Sequence, residues 1–336
     1  GGANTAIGVS ALGKNTTASN NVALGYDALK ENTTGSLNTA VGTQAMEDNT
    51  TGNHNVAVGR QAMANNTTGS DNIAIGLNSL QTNTTADNNI AIGRNALVNN
   101  SVGFSNTAVG AYALDAVTDG DNNQAFGHNA GGKVNTGRNN SAIGVSALRE
   151  CTSGSQNQAL GGDALQGVTT GTNNIGIGHD AGRSNSPSGN ITTGDNNICL
   201  GDDNIQNLFC ADTSISSSDS RDKTDIADFS IGLDWIKALR PVTYKWDKRS
   251  WYGTDETPYG TSDGSKKASK VNIGFLAQEA LEVEKANGYG DSSDNMLICN
   301  LTEDGMRYGM KYERLVPILV NAIKELSAKV TALEAG

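Results

Sequence analysis

Aromatic residues, proline, cysteine and histidine are all scarce in this chain of 336 residues. Aromatic residues make up 5% and hydrophobic residues 36%, which is low for an ordinary globular core. Four prolines beside 41 glycines exclude a collagen-like chain or a proline-rich disordered chain. No window of about 18 apolar residues occurs, so the sequence predicts no membrane insertion.

Positive charge is also in short supply, because 24 Lys and Arg are outnumbered by 35 Asp and Glu and the net charge is −11. An acidic surface repels phosphate backbones, which argues against nucleic-acid binding. The three histidines lie in separate repeats without ligand spacing, so we predict neither a metal site nor a cofactor. The cysteines form no CxxC motif and are interpreted as isolated small apolar residues; they are Cys151, Cys199, Cys210 and Cys299.

A 17-residue period is the strongest signal in the chain, and internal repeats decide a fold before other signals do. The motif reads Asn-x-Ala-aliphatic-Gly-x-x-Ala-Leu and continues into a polar stretch that often reads Asn-Thr-Thr-Gly. Eleven copies follow one another without a gap, and a twelfth follows a six-residue insertion. The motif asparagines are Asn4, Asn21, Asn38, Asn55, Asn72, Asn89, Asn106, Asn123, Asn140, Asn157, Asn174 and Asn197.

A 17-residue unit is too short for a helix pair and is typical of one coil of a β-solenoid, with two short strands and two turns. Glycine four residues after each motif Asn fits a tight bend with positive φ. The Asn-Thr-Thr-Gly stretches are turn chemistry, so the sequons at Asn15, Asn32 and Asn49 are interpreted as turns rather than glycan sites. Asn at one fixed position predicts a hydrogen-bonded ladder between coils, and twelve coils give a rod roughly 55 Å long.

Both faces of the predicted strands are apolar. Neighbouring side chains alternate between faces, and each strand pairs a small residue with a larger one, as in Ala23–Leu24 and Ala28–Leu29. A solenoid alone in water needs only its inner face apolar, so we expect a second chain to cover the other face. The pattern predicts a parallel homo-oligomer with Ala-lined interiors and Ile, Val and Leu seams between chains. The reverse assignment of inside and outside stays open.

Binding through the repeats is expected on outward loops, and the insertion at Arg183–Gly194 is the best candidate. The alternative is a neutral bulge before the last coil. We assign no catalytic role to any repeat residue.

Composition changes near residue 206, where the period stops and before all three tryptophans. We predict a β-solenoid shaft at 1–205, a linker at 206–217 and a small α+β domain at 218–336. Within that domain the patterns predict a helix at 226–239, a strand within 240–246, a polar arm at 247–270, a strand running into a helix at 271–280 and a short strand at 308–312.

The last segment is predicted to be a helix over 313–334 with apolar residues at alternating spacings of three and four. That spacing is the a/d seam of a coiled coil. The alternative is an ordinary amphipathic helix packed on its own domain. The seam residues are Val316, Leu319, Ile323, Leu326, Val330 and Leu333.

Both halves resemble known families. The repeats resemble the head repeats of trimeric bacterial adhesins and the shafts of phage fibres, although the period is longer than the usual adhesin unit. Residues 216–333 resemble the intramolecular chaperone domain of phage tail spikes and fibres, also called peptidase S74 or endosialidase-type chaperone. The pieces that carry this resemblance are Ser218-Asp219-x-Arg221-x-Lys223, Leu239-Arg240-Pro241-Val242-x-Tyr244-x-Trp246, Gly274-Phe275-Leu276-Ala277-Gln278-Glu279, and Tyr312 with Leu315-Val316.

The resemblance implies a homotrimeric virion fibre or spike, assembled in the host cytoplasm, whose C-terminal domain trimerises and guides folding of the shaft. It implies a receptor on the host cell surface, a glycan or a surface protein. No signal peptide is visible, because Gly1 opens directly into a repeat. We therefore expect a natural N-terminus before Gly1 that contacts other virion proteins.

The same family cuts its chain just before the serine, which implies cleavage of the Ser217–Ser218 bond. A serine nucleophile needs a base, and this half of the chain contains no His. We assign Ser218 as nucleophile and Lys223 as base; a lysine acts as a base only where burial or neighbours favour its neutral form, and trimer assembly would supply that burial. Asp219 orients the lysine or holds the turn. Spacing alone favours a helix N-cap or turn at Ser218-Asp219, and the resemblance favours cleavage. Many relatives carry a histidine that is important for cleavage at the position of Asn272. We therefore also expect slow or absent processing in this chain. Chaperoning does not require the cleavage.

Two other classes of protein stay open at this stage. A bacterial trimeric surface adhesin would need a membrane anchor at its C-terminus, where this chain carries a chaperone-like helix. A polysaccharide-depolymerase tail spike would need paired carboxylates in a groove. The acidic residues of the repeats do not all fall at one common position; they include Asp27, Glu31, Glu47 and Asp48.

Overall fold

The computed structural model describes residues 1–205, 218, 220–254 and 257–335. It divides the chain into two compact units, Gly1–Asn204 and Ile205–Gly336. The predicted linker at 206–217 lies outside the described residues. Among the described residues, none of the helices has the length and hydropathy that a membrane crossing requires.

The first unit is a parallel β-solenoid, as predicted, with one strand in each coil. Twelve strands stack in chain order into a single parallel sheet. The pairing offset is 17 residues, so that Ala6 lies beside Ala23, except in the last pair, where the insertion makes it 23 and Ile175 lies beside Ile198. The strands are β1 (Thr5–Ile7), β2 (Val22–Leu24), β3 (Thr39–Val41), β4 (Val56–Val58), β5 (Ile73–Ile75), β6 (Ile90–Ile92), β7 (Thr107–Val109), β8 (Gln124–Phe126), β9 (Ser141–Ile143), β10 (Gln158–Leu160), β11 (Ile175–Ile177) and β12 (Ile198–Leu200).

The second apolar pair of each repeat forms a turn, so the prediction of two strands per coil was wrong. Ala28 and Leu29 lie in a turn segment in which Leu29 has a φ of +50°. Both side chains are fully buried. A left-handed residue breaks the alternation of a strand, and the pair therefore points to one side instead of two. This row of Leu and Met builds the core and contributes nothing to an outer seam.

The strands have the predicted polarity, with the small residue inward. Ala23 and Ala74 are 0% exposed, whereas Leu24 and Ile75 are 45% and 39% exposed. The larger residues form a continuous row of exposed or half-buried apolar side chains, here called the strand-face stripe. It consists of Ile7, Leu24, Val41, Val58, Ile75, Ile92, Val109, Phe126, Ile143, Leu160, Ile177 and Leu200.

The motif asparagines form the predicted ladder between coils. The backbone N–H of Asn38 donates to Oδ1 of Asn21 at 2.9 Å, and Nδ2 of Asn38 donates to the carbonyl of Gly52 at 2.8 Å. Each buried amide thus satisfies backbone groups of two coils at once. Motif glycine is required by the same close stacking: Gly76 has a φ of +132°, and a Cβ there would lie 2.7 Å from the carbonyl carbon of Gly93.

A second row of buried asparagine, within the Asn-Thr-Thr turns, was not predicted. Nδ2 of Asn66 donates to Oδ1 of Asn49 at 2.8 Å, and Nδ2 of Asn83 donates to Oδ1 of Asn66 at 2.8 Å. Burial of these amides supports the interpretation of the sequons as turns. The row ends at Asn100, whose buried Oδ1 has no hydrogen-bond partner among the described residues. Beyond it the same position is apolar and buried in Val117, Val134, Cys151 and Val168.

The second unit is a small α+β assembly around one apolar cluster that includes Trp235, Ile298 and Ile318. The strands pair as two antiparallel hairpins, β13 with β14 and β15 with β16. The elements are α1 (Leu233–Ala238), β13 (Val242–Tyr244), β14 (Asn272–Gly274), α2 (Ala277–Lys285), β15 (Cys299–Leu301), β16 (Tyr308–Met310) and α3 (Leu315–Glu334).

The predicted helix at 226–239 was too long at its start, because α1 begins at Leu233. Nδ2 of Asn321 in α3 donates to the carbonyls of Phe229 (2.5 Å) and Ile231 (3.2 Å). These carbonyls bond to a distant helix instead of entering a local helical ladder.

The second asparagine row generates a prediction about shaft stability. Asn66→Val removes a donor and an acceptor from the middle of the row and leaves Oδ1 of Asn49 buried without a partner. Asn100→Val lengthens the apolar segment of this row by one coil. It removes the unpaired Oδ1 of Asn100 and leaves Oδ1 of Asn83 unpaired in its place. We expect Asn66→Val to be less stable than Asn100→Val by about 1–3 kcal/mol. Denaturant unfolding of the two variants measures the difference, and equal midpoints would contradict the role given to the row.

Candidate processing and assembly site

Ser218 and Lys223 lie together at the start of the described part of the second unit. Nζ of Lys223 donates to Oγ of Ser218 at 2.7 Å. Residues Ser220–Asp222 form a 3-10 turn, and the backbone N–H of Lys223 donates to the carbonyl of Ser220 at 3.4 Å. The turn folds the chain back, so that side chains five positions apart reach hydrogen-bonding distance.

Both side chains of this pair are exposed in the single chain. A protonated lysine has no free lone pair and cannot accept the hydroxyl proton. It becomes a general base only after losing a proton, which removal of water favours. The pair is therefore positioned for nucleophilic chemistry, but the described part of the chain leaves it in water.

Ser217 and Asp219 lie outside the described residues, so the cleaved bond and the role of Asp219 stay predictions. Asn272 lies in β14 opposite Tyr244 of β13. Within the described residues, no hydrogen bond joins the Asn272 side chain to Ser218.

The motifs that carried the resemblance meet at the β13–β14 hairpin. Nε of Arg240 donates to Oε2 of Glu279 at 3.0 Å, and this hydrogen bond holds the pKa of the Glu279 carboxyl below its usual value. The backbone N–H of Phe275 donates to the hydroxyl of Tyr312 at 3.2 Å. A Cβ at Gly274 would lie 2.5 Å from that same hydroxyl, so glycine is needed for this approach. Residues far apart in the sequence thus fix the hairpin, α2 and the start of α3 to one another.

A buried carboxylate organises the other side of this unit, and the sequence analysis missed it. Glu284 is 0% exposed and accepts backbone N–H bonds from Leu297 (3.0 Å), Ile298 (2.6 Å) and Cys299 (2.8 Å). The signal was present, because Ala277, Ala280, Leu281 and Glu284 have the spacing of one helix face. The carboxylate joins α2 to the segment that leads into β15.

Helix α3 packs through a face that differs from the predicted seam. Leu315, Ile318 and Ala322 are buried, whereas Val316 and Ile323 are 58% and 66% exposed. All six seam residues are exposed in the single chain. This finding is against the alternative that the seam packs on its own domain, and the coiled coil itself stays a prediction.

The insertion at Arg183–Gly194 is packed against the last coil. Oγ of Ser186 donates to the carbonyl of Gly201 at 2.9 Å, and the backbone N–H of Asp203 donates to the carbonyl of Asn185 at 2.7 Å. Ile191 is 3% exposed within the core. The insertion is therefore packed into the end of the shaft, and binding through it stays a prediction.

One carboxylate–histidine group in the described part of the chain has ligand atoms within 4.8 Å of one another: Asp163, His179 and Asp180. Nη1 of Arg183 donates to Oδ1 of Asp180 at 2.8 Å, and Nδ2 of Asn185 donates to Oδ2 at 2.6 Å. Because the guanidinium already binds this carboxylate, the group is an ion-pair cluster and a poor cation site.

The described cysteines fit the interpretation as apolar residues. Cys151, Cys199 and Cys299 are buried and free, and burial raises the pKa of the Cys151 and Cys299 thiols to about 12. Cys210 lies outside the described residues.

Comparison with protein families gives a match within the second unit. Residues 218–289 match the peptidase S74 family, described as the chaperone of endosialidase. Searches of curated proteins and of solved structures gave no match. The chain therefore combines a parallel β-solenoid with a chaperone-of-endosialidase domain, which begins at Ser218, and this combination fits the architecture of tail fibres with an endosialidase-type chaperone.

The buried carboxylate gives a stability prediction for this domain. In Glu284→Gln the single amide oxygen replaces two acceptor oxygens, and the new NH₂ group meets a backbone N–H. We expect a loss of about 2–3 kcal/mol of unfolding free energy. Glu282→Gln is the matched control, because Glu282 is exposed and pairs only with Lys285 at the surface; its effect should stay below about 0.5 kcal/mol. Equal unfolding midpoints for the two variants would contradict the role of Glu284.

Proposed function

We propose that the chain is part of a homotrimeric fibre of a virion, and that its C-terminal unit drives trimer assembly and then cuts itself from the shaft. The observation that carries this proposal is the pair of uncovered apolar rows, one on each unit. In the proposed particle the shaft contacts a host cell-surface receptor, and a region before Gly1 contacts other virion proteins. Assembly takes place in the host cytoplasm.

The strand-face stripe supports association of the shaft. It runs through all twelve coils, and most of its members expose more than a third of a large apolar side chain. A continuous apolar row of this length is unfavourable in water and marks a contact surface. A second and third copy offer the same row with the same rise per coil, so parallel association matches apolar residues along the whole length.

The seam on α3 supports association of the second unit. Its six members repeat at a/d spacing and are exposed, while other residues of α3 anchor the helix to its own domain. A helix with one face anchored and a heptad seam free is suited to meet copies of itself.

The exposed pair of Ser218 and Lys223 supports cleavage that depends on assembly. Contact with other copies would remove water from the lysine and favour its neutral form. Neutral Lys223 would accept the Ser218 hydroxyl proton while Oγ attacks the carbonyl carbon of Ser217. The protonated lysine would then give a proton to the backbone nitrogen of Ser218 as the Ser217–Ser218 amide bond breaks. Water would hydrolyse the resulting ester between Ser217 and Oγ of Ser218, which separates fragments 1–217 and 218–336.

Intact-mass spectrometry of freshly expressed protein tests the cleavage. We expect wild type to yield fragments 1–217 and 218–336, whereas Ser218→Ala and Lys223→Ala stay whole. Lys237→Ala removes another exposed lysine of the same unit and should be cut like wild type. Cleavage of Lys223→Ala at the wild-type rate would contradict the assigned base. A wild type that stays whole as a trimer would implicate Asn272, and Asn272→His should then restore cutting.

Sedimentation equilibrium tests the assembly. Ile323→Asp places a charge at the centre of the α3 seam and should convert trimers to monomers, which should also leave the chain uncut. Ala328→Asp adds the same charge on the same helix outside the seam and should keep trimers. Trimers in both variants would show that α3 does not associate through this seam.

A further inference from the structure

One ridge of the shaft carries basic and apolar side chains in alternate coils. The ridge is formed by the residue that follows the motif glycine in the fourth to ninth coils. Its basic members are separated by two coils, which is about 9.6 Å along the shaft. In order, the ridge consists of Arg60, Leu77, Arg94, Ala111, His128 and Val145.

The neighbouring row, one residue further along the chain in each coil, consists mostly of Asn and Gln and is here called the amide row. In the fourth to eighth coils the row consists of Gln61, Asn78, Asn95 and Asn129, with one exception. That exception is Tyr112, which lies between the coils of Arg94 and His128. The Arg94 guanidinium is 5.4 Å from the centre of the Tyr112 ring, and the His128 ring meets it edge-on at 6.0 Å and 76°.

Neither core packing nor backbone conformation explains a tyrosine at this position. Tyr112 has a φ of +59°, and the asparagines at the same position in the adjacent coils, Asn95 and Asn129, have φ of +57° and +58°. Asparagine adopts this left-handed conformation readily, whereas a bulky side chain does so at a cost. Tyr112 is only half-buried and lies outside the core cluster of the shaft. The ring therefore contacts Arg94 and His128 of the ridge instead of the core.

The charge along this ridge is opposite to that of the shaft. Residues 1–217 contain 16 Asp and Glu but 8 Lys and Arg. From the third to the ninth coil, Thr43 to Val145 and Gln44 to Ser146, the ridge and the amide row contain no acidic residue. The ridge is a local basic strip with exposed Arg60, Arg94 and His128.

We propose that this ridge binds a linear acidic polysaccharide that carries a carboxylate on every second sugar ring. Carboxylates separated by two linked rings would meet Arg60, Arg94 and His128 in turn. The apolar faces of the intervening rings would pack on Leu77 and Tyr112, and ring hydroxyls would bond to the amide row. A nucleic acid fits less well, because its charges are only about 3.4 Å apart along a strand.

The inference rests on the adhesive role proposed above for the shaft and names its ligand. Titration calorimetry of the full-length chain tests it with three oligosaccharides of equal length. These are hyaluronan oligomers, with a uronate on alternate rings, oligogalacturonate, with a uronate on every ring, and neutral chito-oligosaccharide. We expect the tightest binding for hyaluronan oligomers and none for the neutral sugar.

The variants restore residues that the same rows use in other coils, so that folding is preserved. Tyr112→Asn should weaken hyaluronan binding about tenfold, and Arg60→Thr with Arg94→Thr should weaken it and reduce its dependence on salt. Tyr26→Thr removes a tyrosine from the same row, two coils before the ridge begins, and Arg138→Ser removes an arginine from a different row; both should bind like wild type.

The inference would be overturned if oligogalacturonate or a thymidine oligonucleotide bound as tightly as hyaluronan oligomers. It would also be overturned if Tyr112→Asn bound hyaluronan oligomers like wild type, or if wild type did not bind them. Sedimentation of the same samples separates this result from the proposed function. Trimers that are cut but bind no sugar would contradict the proposed ligand and leave the proposed assembly and cleavage unaffected. Loss of trimers in Tyr112→Asn would assign the ridge to contacts between chains and would also overturn it.

Discussion

Stacking of like residue on like residue at a 17-residue offset is the constraint on which the shaft depends. Each coil lies so close to the next that a Cβ at the motif glycine would collide with backbone, as at Gly76. The same closeness lets Asn21 and Asn38 bond through side chain and backbone. Each motif residue must therefore fit both its own coil and the equivalent residues of the coils above and below, which explains why the motif varies so little.

This constraint also determines what the shaft leaves uncovered. Inward positions are filled by alanine and by the left-handed Leu and Met row, which together complete a narrow core. The larger strand residues have no room inside and lie on the strand face as an apolar stripe. An exposed stripe on one unit and an exposed seam on α3 of the other have the same physical meaning, since both bury apolar surface only when further chains are added.

The second unit separates a rigid frame from an exposed reactive pair. Arg240 and Tyr312 bind α2, the β13–β14 hairpin and the start of α3 to one another through charge-assisted or backbone hydrogen bonds. Glu284 binds α2 to the segment that leads into β15. Ser218 and Lys223, by contrast, are held by a single 3-10 turn and stay in water. Activation of such a lysine requires a change in its surroundings rather than in its position, and association of chains is a change of that kind.

The period, the glycine bend and the motif asparagine ladder could be predicted from the sequence, because each follows from local chemistry repeated at fixed spacing. The pairing of Ser218 with Lys223 was predicted from the resemblance to a known family, because spacing alone favours a cap or turn there. Other features depended on partners far away in the chain. Leu29 turns inward because a left-handed backbone replaces the expected strand, residues 229–231 leave the helix because Asn321 takes their carbonyls, and Glu284 is buried because three backbone N–H groups converge on it. Periodicity specifies which residues are equivalent, but only the packed fold decides which groups lie within bonding distance and which side of each residue meets water.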